Sequence, residues 1–353
     1  MTLHLGGYTQ DQPTDRSGWG RVDYDPTTGF GDAVALPGPA APSWLVRIAG
    51  TEEGYAVSEA DGGSVVRVHP EEGVVSSVDS GGMGPAHLAL SPDGRWLVAS
   101  NYVSGSLGLV AAGEELELVD ELQLEGDGPH DRQDSSHAHQ AVFVGEDRLL
   151  VCDLGADRVP ELEVVDGALR HVGEIVLPTG SGPRHLALAP DRDDLLWVVG
   201  ELDQTVHVVR RKGGGGDGAD GDGAERGGAD GDGARRSWEV VQTMTTAPEG
   251  PGPGETTTGG IVVSPDGRHL YVSTRGTDTV SVYAVDDDGL LELRQQVVTG
   301  HWPRFIGWVP GHEGDLLLVA AEREGSVDVW STDEGLLEKT GHSLAWSAPT
   351  WVG

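Results

Sequence analysis

Three phrases place a cation at the same point of a recurring unit: His137 and His139 in "SSHAHQ", Arg184 in "GPRHLALAP" and Arg304 in "WPRFIGW". A second recurring point, at the end of a later apolar run, carries Glu59, Tyr102, Asp153, Glu201, Arg275 and Glu322. An arginine can grip a phosphate or carboxylate through parallel N–H bonds, or stabilise negative charge developing on oxygen. A histidine moves protons near neutral pH, and a carboxylate orients either partner. His137 and His139 stand two apart, on one side of an extended segment, a spacing that also suits a metal ion. No third or fourth ligand with suggestive spacing accompanies them, so no metal is expected. "GPAHLALSP" from Gly84 nearly repeats the Arg184 phrase, with Ala86 in place of the arginine. His87 and His185 fill one slot in both phrases and read as structural. By strand alternation Arg184 and His185 point to opposite sides, so one of them faces the site, and Arg184 is the choice. Arg132 in "GPHDRQDSS" is loop-borne and stays unassigned.

These residues need a scaffold that brings distant segments together, and the chain has one in its repeats. Taking Pro42, Pro85, Ala138, Pro183, Gly259, Pro303 and Pro349 as markers, the steps are 43, 53, 45, 76, 44 and 46 residues. That is the spacing of four-stranded propeller blades. Within a unit, a short apolar run meets a turn such as "SPDG" (Ser91–Gly94, Ser264–Gly267), a second run follows, and a polar turn leads to a third. Short β-rich runs between Gly, Asp and Pro turns, without sustained helical periodicity, argue for strands. The expectation is an all-β, seven-bladed propeller of four-stranded antiparallel blades. "APTWV" at the C-terminal end supplies the inner strand that the N-terminal unit lacks, so the ring closes without free sheet edges. Antiparallel pairing then gathers both recurring points at one axial mouth.

Charge and composition narrow the function. The chain has 58 Asp and Glu against 23 Lys and Arg, a net charge of −35, and Lys212 and Lys339 are its only lysines. Such a surface suits a high-salt cytoplasm and makes a poor nucleic-acid binder. Cys152 is the only cysteine and reads as a small buried hydrophobe. No apolar run has the length of a membrane helix, and "MTLHLGGYTQ" lacks signal-peptide regions. The expectation is one soluble cytoplasmic domain over residues 1–353. The Gly/Asp-rich stretch at 213–236 is expected to be a disordered loop. Calcium at Asp220, Asp222, Asp230 and Asp232 is the sharper alternative, without the patterning of known calcium repeats.

The whole chain apart from that insertion resembles the seven-bladed β-propeller lactonases, a family that includes 6-phosphogluconolactonases and carboxymuconate cyclases. The ordered set "HAHQ", "GPRH", "GEL" and "STRG" carries the likeness. It implies an axial pocket with His139, Arg184, Glu201 and Arg275 as catalytic residues; the strand ends add His137, Tyr102, Arg304 and Glu322 as substrate contacts, and no cofactor is expected. The substrate implied is a small sugar lactone or related anion. His139 would be the general base, Arg184 and Arg275 the oxyanion and anion contacts, and Glu201 their orienting partner or an alternative base. Gly260, where an acidic residue is common, and Glu322, in place of a glutamine, depart from the family pattern. A cycloisomerase, a redox propeller with a bound cofactor, or a non-catalytic scaffold using Trp19, Trp238 and Trp302 as rim anchors remain as alternatives.

Overall fold

A computed structural model describes residues 1–9, 18–60, 62–212, 237–252 and 254–353, so the 213–236 stretch lies outside the described residues. Its strands form seven antiparallel sheets, six of four strands and one of five, and no helix occurs among the described residues. Blades are numbered 1 to 7, and the strands of each run a to d from the axis outward. Strand a is Pro349–Val352 in blade 1, Pro42–Arg47 in blade 2, Pro85–Leu90 in blade 3 and Ala138–Phe143 in blade 4. It is Pro183–Leu188 in blade 5, Thr257–Val263 in blade 6 and Pro303–Trp308 in blade 7. Strand b of blade 1 is Thr2–Gly7, so the two ends of the chain pair in one sheet, with Leu5 opposite Val352 and Gly6 opposite Trp351. The strand a elements contact one another in sequence around a closed ring. No helix of the described residues is long and apolar enough to cross a membrane.

Burial follows position in the blade. Strand b of blade 5 (Leu195–Gly200) is buried along its whole length, because neighbouring blades cover both faces. Strand d of blade 3 (Glu117–Gln123) alternates exposed and half-buried residues, since one face meets water. The core is therefore a set of seams between blades. Val98, Leu107 and Leu109 of blade 3 pack against Ala141, Leu149 and Val151 of blade 4. Trp197, Val206 and Val208 of blade 5 pack against Leu270, Val272 and Tyr283 of blade 6. Each such side chain contributes about 1.5–3 kcal/mol by leaving water.

The repeated turns are chemically the same turn. In "SPDG", Ser91 Oγ donates to Asp93 and accepts from Trp96 N–H, while Gly94 takes φ 73°. Ser264, Asp266 and His269 repeat the arrangement, with Gly267 at φ 72°. The residue before strand a also has positive φ in five blades: Ala41, Gly84, Gly182, Trp302 and Ala348. Glycine accepts this geometry freely, whereas a side chain there costs roughly 1–2 kcal/mol. Trp302 is the bulkiest side chain to occupy it.

Strand a of every blade carries a β-bulge, which strand alternation does not anticipate. In blade 5, Pro183 pairs with Gly200 and His185 with Val199, leaving Arg184 as an extra residue. The equivalent extra residue is Thr350, Ser43, Ala86, His139 and Arg304 in blades 1, 2, 3, 4 and 7. In blade 6, Gly259 and Gly260 fall in the shifted stretch. A bulge re-aims the side chain it inserts. Arg184 and His185 therefore both reach the axial region, which corrects the expectation that only one of them does.

The loop before blade 4 depends on a close approach. A Cβ on Gly155 would overlap the Ser135 carbonyl oxygen and crowd His137 N. We expect Gly155→Ala to destabilise the fold by about 1–3 kcal/mol, seen as a lower urea midpoint. An unchanged midpoint would show that the loop yields at no cost.

Candidate active site

A single backbone hydrogen bond, repeated around the ring, builds the mouth. The residue leaving strand b donates its N–H to the carbonyl of the residue just before strand a. Tyr8 bonds Ala348, Glu59 bonds Ala41, and Tyr102 bonds Gly84. Glu201 bonds Gly182, and Glu322 bonds Trp302. Strand b exits and strand a starts are thus locked at one end of the ring, where the bulge residues also lie.

Glu201 is the hub of the charged groups. Its carboxylate meets Arg132 Nη1 at 2.7 Å, Arg184 Nε at 2.9 Å and Arg275 Nη2 at 2.9 Å. Glu201, Arg184 and Arg275 are buried, and Arg132 is the more exposed member. Burial works to raise the Glu201 pKa, but Arg275, Arg184 and Arg132 together hold it well below the usual carboxylate range. Burial and the Arg275 charge draw the Arg184 guanidinium down to about 9, so it stays charged at neutral pH. Three guanidinium groups facing one carboxylate leave positive charge in excess.

The arginines are held from behind by backbone. Arg184 Nη1 donates to Gly259 O at 2.8 Å, and Arg275 Nη2 donates to Thr258 O at 2.7 Å. Trp302 lies against the Arg275 guanidinium at 5.5 Å from the ring centroid, and Asp278 holds the Trp302 N–H at 2.9 Å. The Nε–H groups of Arg184 and Arg275 make no aligned hydrogen bond among the described residues, although Arg184 Nε stands in ionic contact with Glu201. His139 Nδ1 is buried and unpartnered in the same sense. Buried polar groups are rarely left unpaired, and these three fall together.

Imidazoles fill the axis beside them. His139 packs edge-on to His185 at 5.1 Å and to Tyr102 at 5.6 Å, while His185 meets His87 at 6.1 Å and Trp44 at 5.7 Å. These contacts join four blades, which places His87 and His185 in the axial shaft as well as in their strands. Burial first, then the nearby arginines, holds His139 and His185 well below the ordinary histidine range. Burial and Arg184 bring His87 to about 3. All three are neutral at physiological pH.

The other expected residues sit around this centre. Arg304 donates to Tyr8 OH at 2.5 Å and lies 3.5 Å from Glu322, forming a second charged cluster. Glu59 joins it through Ser43 and Tyr8, and burial raises its pKa. His137 stacks on Tyr102 at 4.7 Å, with Nδ1 on the Tyr102 carbonyl and Nε2 3.3 Å from Asp134. Asp153 is turned to structure, accepting from His137 N–H and Gly155 N–H. Sequence reasoning missed Tyr8, although the strand b exit of blade 1 marks it, and left Arg132 unassigned. Trp19 and Trp302 are buried and Trp238 is half-buried, so the rim anchors of the scaffold alternative are not on display.

Comparison with known proteins decides the family. The model of the family described as "Lactonase, 7-bladed beta-propeller" matches residues 2–220 and 229–353. The chain belongs to the seven-bladed β-propeller lactonase family. Membership makes it a lactone-hydrolysing carboxylic ester hydrolase by class. A 6-phosphogluconolactonase of Bacillus subtilis is 27% identical over 292 residues, covering 79% of this chain and 77% of that protein. One from Pectobacterium atrosepticum is 28% identical over 294 residues, covering 80% and 76%. Among solved structures, a Lactobacillus plantarum protein superposes with TM-score 0.83 at 24% identity, covering 99% of this chain and 98% of that one. A periplasmic gluconolactonase of Pseudomonas aeruginosa does so with TM-score 0.81 at 24% identity, covering 100% and 98%. These two likenesses are of fold.

Removing the hub strands two buried cations, Arg184 and Arg275, and the half-buried Arg132. Glu201→Gln is expected to cost about 3–5 kcal/mol at pH 7, measured by urea unfolding. Because the folded pKa of Glu201 is depressed, its stabilisation is present above the unfolded carboxylate value and lost as pH falls through the folded one. The gap between variant and wild type should therefore narrow below about pH 4; a gap constant with pH would count against the ionic role. The depressed histidines add a second window. Unfolding releases them to take up protons, so wild-type stability should fall as pH drops below about 6.5.

Proposed function

We propose that the chain hydrolyses a sugar lactone, with 6-phosphogluconolactone or a related aldonolactone as substrate, at the axial cluster and without a metal ion. The observation that carries this reading is a pair of unspent buried groups, Arg275 Nε–H and His139 Nδ1, beside the buried Arg184 guanidinium. An unpaired cationic donor, a second guanidinium and a neutral proton acceptor match what hydrolysis of a cyclic ester needs.

Water attacks the lactone carbonyl carbon and gives a proton to His139, so a tetrahedral oxyanion forms. Arg184 and Arg275 stabilise that oxygen from fixed positions. The bond between the carbonyl carbon and the ring oxygen then breaks, and the ring oxygen takes the proton back from His139 and leaves as a hydroxyl. The product is the open-chain aldonic acid. Burial, and then the excess positive charge of the arginines, make His139 a weak base. An anionic substrate offsets their charge and strengthens it when the base is needed. Glu201, already committed to three arginines, serves as their holder, and His139 takes the base role. His137, Tyr102, Arg304 and Glu322 border the substrate's remaining hydroxyls. The acid-rich composition suits a salt-rich cytoplasm, where a Debye length of about 3 Å at molar salt leaves direct hydrogen bonds to recognise the anion.

Arg184→Ala leaves Glu201 paired with Arg132 and Arg275, so the fold should survive. We expect kcat on 6-phosphogluconolactone to fall about 10²–10³-fold, followed by titrating the acid released above the spontaneous rate. His139→Ala should lose the proton-transfer share, about 10²-fold or more. Full activity in the double variant would overturn the site. Treatment with a chelator should leave turnover unchanged; loss that a divalent cation restores would overturn the metal-free mechanism.

A further inference from the structure

A cavity of about 300 Å³ opens at the rim beside the axial cluster, lined by His130, Arg132, Gln204, Glu255, Thr256 and Thr257 among others. Arg132 belongs to both places. Its Nη1 rests on Glu201 and its Nη2 on Tyr102 OH at 2.8 Å, which leaves the rest of its fork of N–H donors unused by these contacts. Thr257 also belongs to both, since it pairs with Arg275 at the start of strand a in blade 6. Its residue is only 5% exposed, and its hydroxyl has no hydrogen-bond partner among the described residues. A buried, unpaired hydroxyl at a cavity wall calls for a ligand atom or a water. Beside it, Thr256 Oγ1 accepts from Gly252 N–H at 2.9 Å and keeps its own proton to give.

The loop that carries Arg132 is fixed from below. Gln133 is fully buried, and its side chain donates to Leu154 O at 2.9 Å and to Asp157 at 2.8 Å. It also accepts from His130 N–H at 3.2 Å, and Arg132 N–H bonds His130 Nδ1 at 3.1 Å. The guanidinium is thereby aimed by long-range bonds. Glu255 is the carboxylate of this lining, and it is exposed, where water and salt screen it.

We propose that this rim cavity is the subsite for the phosphate of a phosphorylated lactone, with Arg132 and the Thr257 hydroxyl as its donors. The inference rests on the lactonase reading above and assigns the group that would separate phosphorylated from plain sugar substrates. Arg132 ties the two places together, with one face of its fork on the Glu201 hub and the other on the phosphate. A lactone anchored there would reach the axial arginines with its carbonyl, so the anchor sets both affinity and alignment.

Calorimetric titration with 6-phosphogluconate, gluconate and inorganic phosphate tests the subsite without turnover. The wild type should bind 6-phosphogluconate at least about tenfold more tightly than gluconate. Thr257→Val and Arg132→Gln, each shown folded by its melting curve, should each bring that ratio below about threefold. Equal binding of the two acids by the wild type, or variants that keep the ratio, would overturn the subsite. Inorganic phosphate bound as tightly as 6-phosphogluconate would make the cavity a free-anion site and overturn it as a substrate contact. Hydrolysis of 6-phosphogluconolactone by the wild type is assayed separately. Its absence alongside an intact binding ratio would remove the lactonase reading and leave the phosphate subsite standing.

Discussion

One buried carboxylate sets the conditions for everything at the mouth of the ring. Glu201 allows Arg132, Arg184 and Arg275 to share a space that their mutual repulsion would otherwise empty. A buried ion cluster gains little net stability, because desolvation offsets much of the Coulomb attraction. What it secures here is position: guanidinium groups from a loop, from strand a of blade 5 and from strand b of blade 6 (His269–Arg275) are held with part of their donors unused. Burial, with the excess positive charge added to it, keeps the neighbouring imidazoles neutral. The same electrostatic imbalance therefore makes an anion welcome and leaves a proton acceptor ready.

The backbone device behind this is the bulge repeated in strand a. A plain strand would send alternate side chains into the seams between blades, where a guanidinium has no place. One inserted residue per blade frees a position from that alternation, and seven blades supply seven such positions. Some of them are spent on joining the ring. Thr350 Oγ1 donates to Pro42 O and Ser43 Oγ to Pro85 O, each stitching one blade to the next. Arg184 makes the corresponding stitch to Gly259 O and still faces Glu201. Structure and chemistry are thus carried by one slot.

Much of this is legible in the chain because it is local. The "SPDG" turns, the runs of buried β-rich residues and the terminal "APTWV" declare their pairing through turn chemistry and period, and the blades follow. The strand ends gather His139, Arg184, Glu201 and Arg275 among ten residues, and the family resemblance singles these four out. The bulges were not, since an extra residue in "GPRHLAL" looks like ordinary alternation and hides that His185 shares the shaft. Arg132 left no local trace either. Its loop is shaped by Gln133 reaching Leu154 and Asp157, contacts that no window of sequence displays. Trp302, a candidate rim anchor for a scaffold, is instead buried, with its ring centroid 5.5 Å from the Arg275 guanidinium.

Seven similar blades would make a shaft that looks alike from every side, and this one does not. Blades 4, 5 and 7 place His139, Arg184 and Arg304 at the bulge, and blade 6 adds Arg275 nearby, whereas blades 1, 2 and 3 place Thr350, Ser43 and Ala86 there. Blades 5 to 7 are cationic there, blade 4 carries the neutral His139, and blades 1 to 3 are short and uncharged at the bulge, with Trp44 and His87 beside them. The difference between Arg184 and Ala86 breaks the rotational equivalence of the blades, so an anion entering the shaft has one side of the ring to turn towards.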